Sequence, residues 1–160
     1  MANYFTHISF KLAVTREEAE QFVSVIASAA SIEDGNGPLL TPEIEKAFNT
    51  DSQSAEQNFC EIMDDLIFGI ECIFNETSST LTIFDSDGAP NLSALGQCLQ
   101  CLYPEKLPLG FVYADTCDKA RADGFGGGYF VITGDTISQQ TLAQMLGNDL
   151  TALAENSGVS

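Results

Sequence analysis

His7 is the only histidine of the chain, and paired with Cys117 it would make a nucleophile and its general base. Such a pair needs a third group to orient the imidazole, and no spacing singles one out. Alternation along the first strand places His7 beside Phe5 and Ser9 on the outer face, while Cys117 falls at a strand end. Cys98-Leu99-Gln100-Cys101 is a C-x-x-C pair, half of a zinc site that no second pair or nearby histidine completes. Redox chemistry uses such a pair where a strand opens into a helix, whereas here it sits late in a helix, ahead of Tyr103-Pro104. Asp85-Ser86-Asp87-Gly88 begins like a calcium loop, but Ala94 stands where the closing glutamate belongs. It reads as a turn that leads into a helix. No metal, cofactor or catalytic residue is expected.

Gly124-Phe125-Gly126-Gly127-Gly128 invites comparison with a phosphate loop. Tyr129 occupies the position of the third glycine, however, and the run leads into a strand, so no helix N-terminus meets an anion. Gly126 and Gly127 are expected to supply positive φ angles or close backbone approach at a hairpin. The same loop carries Cys117, Lys119 and Arg121, and its two cations suit a carboxylate or phosphate. Residues 116–128 are therefore a candidate ligand site.

The second candidate is a surface. The chain has 160 residues, 23 Asp and Glu against 6 Lys and Arg, and a formal net charge of -17. Binding to nucleic-acid phosphates needs clustered Lys and Arg, so direct nucleic-acid binding is excluded. Residues 17–87 hold 16 of the acids and only Lys46. Carboxylates held on rigid helices can take the place of phosphates against a basic protein groove. Glu17, Glu20, Glu56, Glu61, Asp64 and Asp65 are the expected members of that surface. The plain alternative is a solvated acidic face that keeps the protein in solution.

The elements that must position these residues follow from pattern. A hydrophobic fraction of 44% with eleven Phe excludes intrinsic disorder. Tyr4 to Leu12 alternates as a strand, with Tyr4, Thr6, Ile8, Phe10 and Leu12 facing inward. Thr15-Arg16-Glu17-Glu18 is a capping box, and Ala19, Phe22, Val23, Ile26 and Ala30 form the helix stripe behind it. Thr41-Pro42-Glu43 starts a short helix with Pro at its first position. Ser54-Ala55-Glu56-Gln57 caps a further helix, whose stripe is Phe59, Ile62, Met63, Leu66 and Ile67 and whose exposed face is acidic. Ile70–Phe74 and Thr80–Phe84 make a hairpin. Asn91 caps a helix with Leu95, Cys98, Leu99 and Leu102 inward. Leu109–Ala114 and Gly128–Thr133 are two more strands. Leu142, Met145, Leu146, Leu150 and Leu153 mark a terminal helix, and residues 156–160 are expected to fray.

The order is α+β. Without the inserted acidic helix and the C-terminal strand plus helix it is βαββαβ, the ferredoxin-like split arrangement of an antiparallel sheet, in a single domain over residues 1–155. No stretch of about 18 apolar residues and no signal segment is present, so a cytoplasmic protein with five free thiols and no membrane contact is expected.

One stretch resembles a group of small acidic bacterial, plasmid and phage proteins of uncharacterised function. It is Phe111-Val112-Tyr113-Ala114-Asp115-Thr116-Cys117-Asp118-Lys119-Ala120-Arg121, followed by Phe125-Gly126-Gly127-Gly128. Members read Thr-Cys-Ser-Lys-Pro-Arg and then Phe-Gly-Gly-Gly, and open on a strand similar to Tyr4–Phe10. Asp118 and Ala120 depart from that pattern. The resemblance implies a bacterial or mobile-element setting and no reaction. The leading expectation is a non-catalytic, DNA-mimicking protein that binds a basic host defence protein, one that handles nucleic acid. A small-ligand binder or enzyme using the 116–128 loop is the runner-up. A homodimer through the open sheet face around Phe5 is the third.

Overall fold

The computed structural model describes residues 2–33, 41–48, 68–122 and 124–157. Their elements are β1 (Tyr4–Ala13), α1 (Arg16–Glu33), α2 (Pro42–Phe48), β2 (Ile70–Asn75), β3 (Thr80–Asp85), α3 (Leu92–Leu102), a 3-10 turn (Pro104–Lys106), β4 (Leu109–Cys117), β5 (Gly126–Ile132), β6 (Ile137–Thr141) and α4 (Leu142–Ser157). The fold is α+β. Its six strands form one antiparallel sheet in the order β2-β3-β1-β4-β5-β6.

The local signals act as their chemistry requires. The capping box at the start of α1 is reciprocal: the Glu18 N–H donates to Thr15 Oγ1 at 3.2 Å, and the Thr15 N–H donates to Glu18 Oε1 at 2.9 Å. Asn91 Oδ1 accepts the Ala94 N–H at 3.0 Å and opens α3. Thr41 Oγ1 accepts from Ile44 ahead of α2, with Pro42 in the first turn where its missing N–H costs nothing. Replacing Thr15 by alanine is expected to cost about 1 kcal/mol, the usual worth of an N-cap, read as a lower urea midpoint with an unchanged slope.

One face of the sheet supplies the core with Ile8, Leu12, Leu81, Ile83, Phe111, Phe130 and Ile132. Phe22, Val25, Ile44, Phe48, Leu95, Leu99 and Leu102 close over it from α1, α2 and α3. Phe10, Phe111 and Phe130 stack across β1, β4 and β5 with successive centroids 5.0 Å apart. Aromatic cross-strand pairs of this kind pin strand register.

Three expectations need correction. The buried stripe of α1 is Ala19, Phe22, Val25 and Ala29, whereas Val23 is 46% exposed and Ala30 is exposed. The helix packs against α2 and α3, and its flank with Val23, Ile26, Ala27 and Ala30 runs along the edge strand β2. Within β1, Ile8 and Leu12 are buried but Tyr4 is 54% exposed. The ladder with β3 begins only at Ser9, so β4 alone flanks that end of β1. A sixth strand, Ile137–Thr141, was not expected, because Ser138, Gln139 and Gln140 give it no apolar alternation. The terminal helix runs to Ser157, and residues 158–160 of the stretch expected to fray lie outside the described residues. The second capping box and the acidic helix behind it lie outside the described residues.

Candidate functional site

The capping box divides the acids of α1 between two jobs. Glu18 turns back to cap the helix and also meets Lys106 Nζ at 3.3 Å. Burial acts to raise its pKa, but the Thr15 N–H and the Lys106 ammonium outweigh it and hold the carboxyl below the ordinary value. Tyr103 fixes the same turn, its hydroxyl donating to the Glu18 carbonyl oxygen at 2.5 Å. Glu17 and Glu20 are left on the exposed side. With Gln21, Ser24, Glu43 and Lys46 they line a groove of about 300 Å³ between α1 and α2. Three carboxylates thus face a shallow concavity that holds one ammonium.

Glu17 and Glu20 are the two expected acidic residues that the structure describes, and it places them together. Glu56, Glu61, Asp64 and Asp65 lie outside the described residues. Glu43 was missed, although its signal is present in Thr41-Pro42-Glu43: a helix start puts Glu43 in the first turn.

The 116–128 loop is arranged differently. β4 extends three residues beyond its expected end and carries Cys117 into the sheet, opposite Tyr4. His7 lies opposite Ala114, three ladder positions away from Cys117, so the two do not form a dyad. Asp118, one of the two departures from the resembled motif, ties down the N-terminal segment. Its carboxylate accepts from the Asn3 backbone N–H at 2.9 Å and from Asn3 Nδ2 at 2.6 Å, while its own N–H donates to the Asn3 carbonyl oxygen. Lys119 and Arg121 are exposed on the loop. Gly126 and Gly127 belong to β5, opposite Asp115 and Ala114, so their backbone serves the ladder. Gly127 has φ +140°, and a side chain there would collide with the Tyr113 carbonyl oxygen.

A polar cluster that sequence reasoning missed lies where β1 meets the end of β3. Asp85 Oδ1 accepts the Ile8 N–H at 2.8 Å, and Oδ2 accepts the Gly88 N–H at 3.1 Å. His7 Nδ1 lies 3.1 Å from the same Oδ2, and the imidazole stacks on Phe5. The Asp85 side chain is only 12% exposed. Burial acts to raise its pKa, yet the Ile8 N–H and His7 prevail and lower it. Asp87 accepts from the Ala89 N–H, so the calcium-like residues act as a turn.

Cys98 is buried, Cys101 is half-buried, and desolvation pushes both thiols up, away from the reactive thiolate. Among the described residues no group of three or more His, Cys, Asp or Glu is placed to hold a metal ion, and no helix is long and apolar enough to cross a membrane. No protein-family model, curated protein or solved structure matches the chain.

Proposed function

We propose that the chain is a non-catalytic interaction protein that docks an acidic helical face onto a basic protein partner. The observation that carries this reading is the groove between α1 and α2, where Glu17, Glu20 and Glu43 converge. Its setting reinforces it: residues 17–87 hold 16 acids and one base. Arg and Lys side chains of a partner are the complementary groups, and carboxylates on a helical scaffold present them with a phosphate-like row. The resemblance to phage and plasmid proteins points to a host defence protein that handles nucleic acid, in the bacterial cytoplasm.

We read β1 to β4 with α1 and α3 as a split βαββαβ unit of ferredoxin-like type, to which β5, β6 and α4 are added. The run β2-β3-β1-β4 in the sheet supports that reading.

The test is capture from bacterial lysate with wild type and with Glu17→Lys/Glu20→Lys/Glu43→Lys. Partner retention should fall at least about tenfold in the variant, and in the wild type it should weaken as salt rises from about 50 to 200 mM. If every captured protein stays bound to the triple variant, the reading is wrong. If binding is instead lost in Lys119→Glu/Arg121→Glu alone, the site belongs to the 116–128 loop.

A further inference from the structure

The C-terminal helix carries its apolar face on the wrong side for its own domain. No residue of α4 is buried, and Leu142, Leu146, Leu150 and Leu153 are 51%, 61%, 58% and 62% exposed. The opposite face of the helix is the one turned to the sheet. Gln144 and Asn148 join Tyr129, Val131, Ser138 and Gln140 around a groove of about 470 Å³. The helix start is pinned in this attitude by a capping box of its own. Thr141, the last residue of β6, donates its N–H to Gln144 Oε1 at 2.9 Å, and its hydroxyl accepts the Gln144 N–H at 3.1 Å. Helices of this length draw most of their stability from packing an amphipathic face, and α4 offers that face to solvent.

We infer that α4 is a self-association element, with the leucine stripe packing on the same stripe of a second copy about a two-fold axis. Three observations select a second copy. First, the stripe is self-complementary. Leu142, Leu146 and Leu150 form a ridge at spacing four, and the neighbouring row of Ala143, Gly147 and Thr151 is shallow, with no atom within 4 Å of where a Gly147 side chain would sit. Ridges and grooves of that spacing interlock when two helices cross at about -50°.

Second, the charge fits no other class as well. α4 holds Asp149 and Glu155 and no Lys or Arg. An anionic membrane or a nucleic acid needs bases that α4 lacks. A basic protein would find only two acids on α4 to hold. Two copies of so acidic a chain repel each other least where acids are sparse.

Third, the stripe supplies a large share of the area a dimer needs. Each exposed leucine keeps on the order of 100 Å² in water, so the stripe offers roughly half of the ~800 Å² that a stable interface buries on each side.

The inference does not rest on the acidic groove, and reversing the groove charges should leave the association intact. The experiment is sedimentation velocity of the full chain across micromolar concentrations. Wild type should sediment as a dimer, and Leu146→Glu/Leu150→Glu should weaken the association by about 100-fold or more. Leu150→Gln, followed by circular dichroism, separates loss of contact from loss of helix: it should shift the equilibrium toward monomer with the fold retained. Val112→Glu, on the open sheet face at a residue 70% exposed, should leave the dimer unchanged. A wild-type monomer at every concentration overturns the inference. So does a dimer indifferent to the leucine variants, or one broken by Val112→Glu in their place.

Discussion

Replacing Gly128 by alanine is expected to remove about 4 kcal/mol or more of folding stability, at the upper end of what single substitutions do. Gly128 is the middle of a three-strand sandwich in the plane of the sheet, opposite Tyr113 on β4 and Thr141 on β6. A Cβ there would overlap the Gln140 carbonyl oxygen and lie 2.9 Å from both Thr141 Cα and the Tyr113 hydroxyl. Two of these atoms are backbone and cannot swing aside. Tyr113 is 5% exposed, and its hydroxyl accepts from Gln139 Nε2 at 2.6 Å. Relief therefore requires β6 to move off β5, and α4 begins at the residue after Thr141. Gly127→Ala should be comparably severe, because φ +140° is strained for any L side chain. Gly126→Ala is the control. Nothing lies within 4 Å of its Cβ position, so its effect should stay below about 1 kcal/mol. Chemical unfolding of the three variants measures this, and equal stabilities for Gly126→Ala and Gly128→Ala would sink the argument.

At neutral pH, Asp85→Ala should cost about 3 kcal/mol, with two backbone donors losing their acceptor. Ile8 is 4% exposed, so water cannot readily replace the carboxylate at its N–H. Gly88, which holds φ +82° against the Phe5 ring, loses the contact that closes its turn. The pH dependence has a definite sign. The folded carboxyl titrates below its ordinary value, so its stabilisation is complete above the unfolded pKa of about 4 and disappears as pH falls through the lowered folded value. The stability gap between wild type and Asp85→Ala should therefore be widest near pH 7 and narrow below about pH 4. Glu18 contributes in the same acid window with the same sign, so the comparison must be variant against wild type at each pH. A gap that is constant from neutral to acid pH would show that Asp85 acts only by filling space.

Both predictions concern positions whose importance lies across strands, and this separates what was legible in the chain from what was not. The capping box at Thr15 and Glu18, the Asn91 cap, the Pro42 helix start and the hairpin of β2 with β3 were readable, because each depends on residues a few positions apart. The same applies to Thr141 and Gln144, whose capping spacing is plain in the sequence. The concentration of acid in residues 17–87 is likewise a property of the sequence.

β6 was invisible, since a polar edge strand has no alternation and is recruited only by pairing with β5. The rotation of α1 was also hidden: Val23 and Val25 are equally apolar, and only the neighbours α2 and β2 decide which is covered. Asp85 reads in the sequence as part of a turn, and only the β1–β3 ladder sets it against the Ile8 N–H, 77 positions away in the chain. Amino-acid order thus settled composition, charge and the local hydrogen bonds that open helices. Register, the meeting of Glu17 and Glu20 with Glu43, and the outward leucines of α4 were decided by packing, because each depends on which distant surface a side chain finally meets.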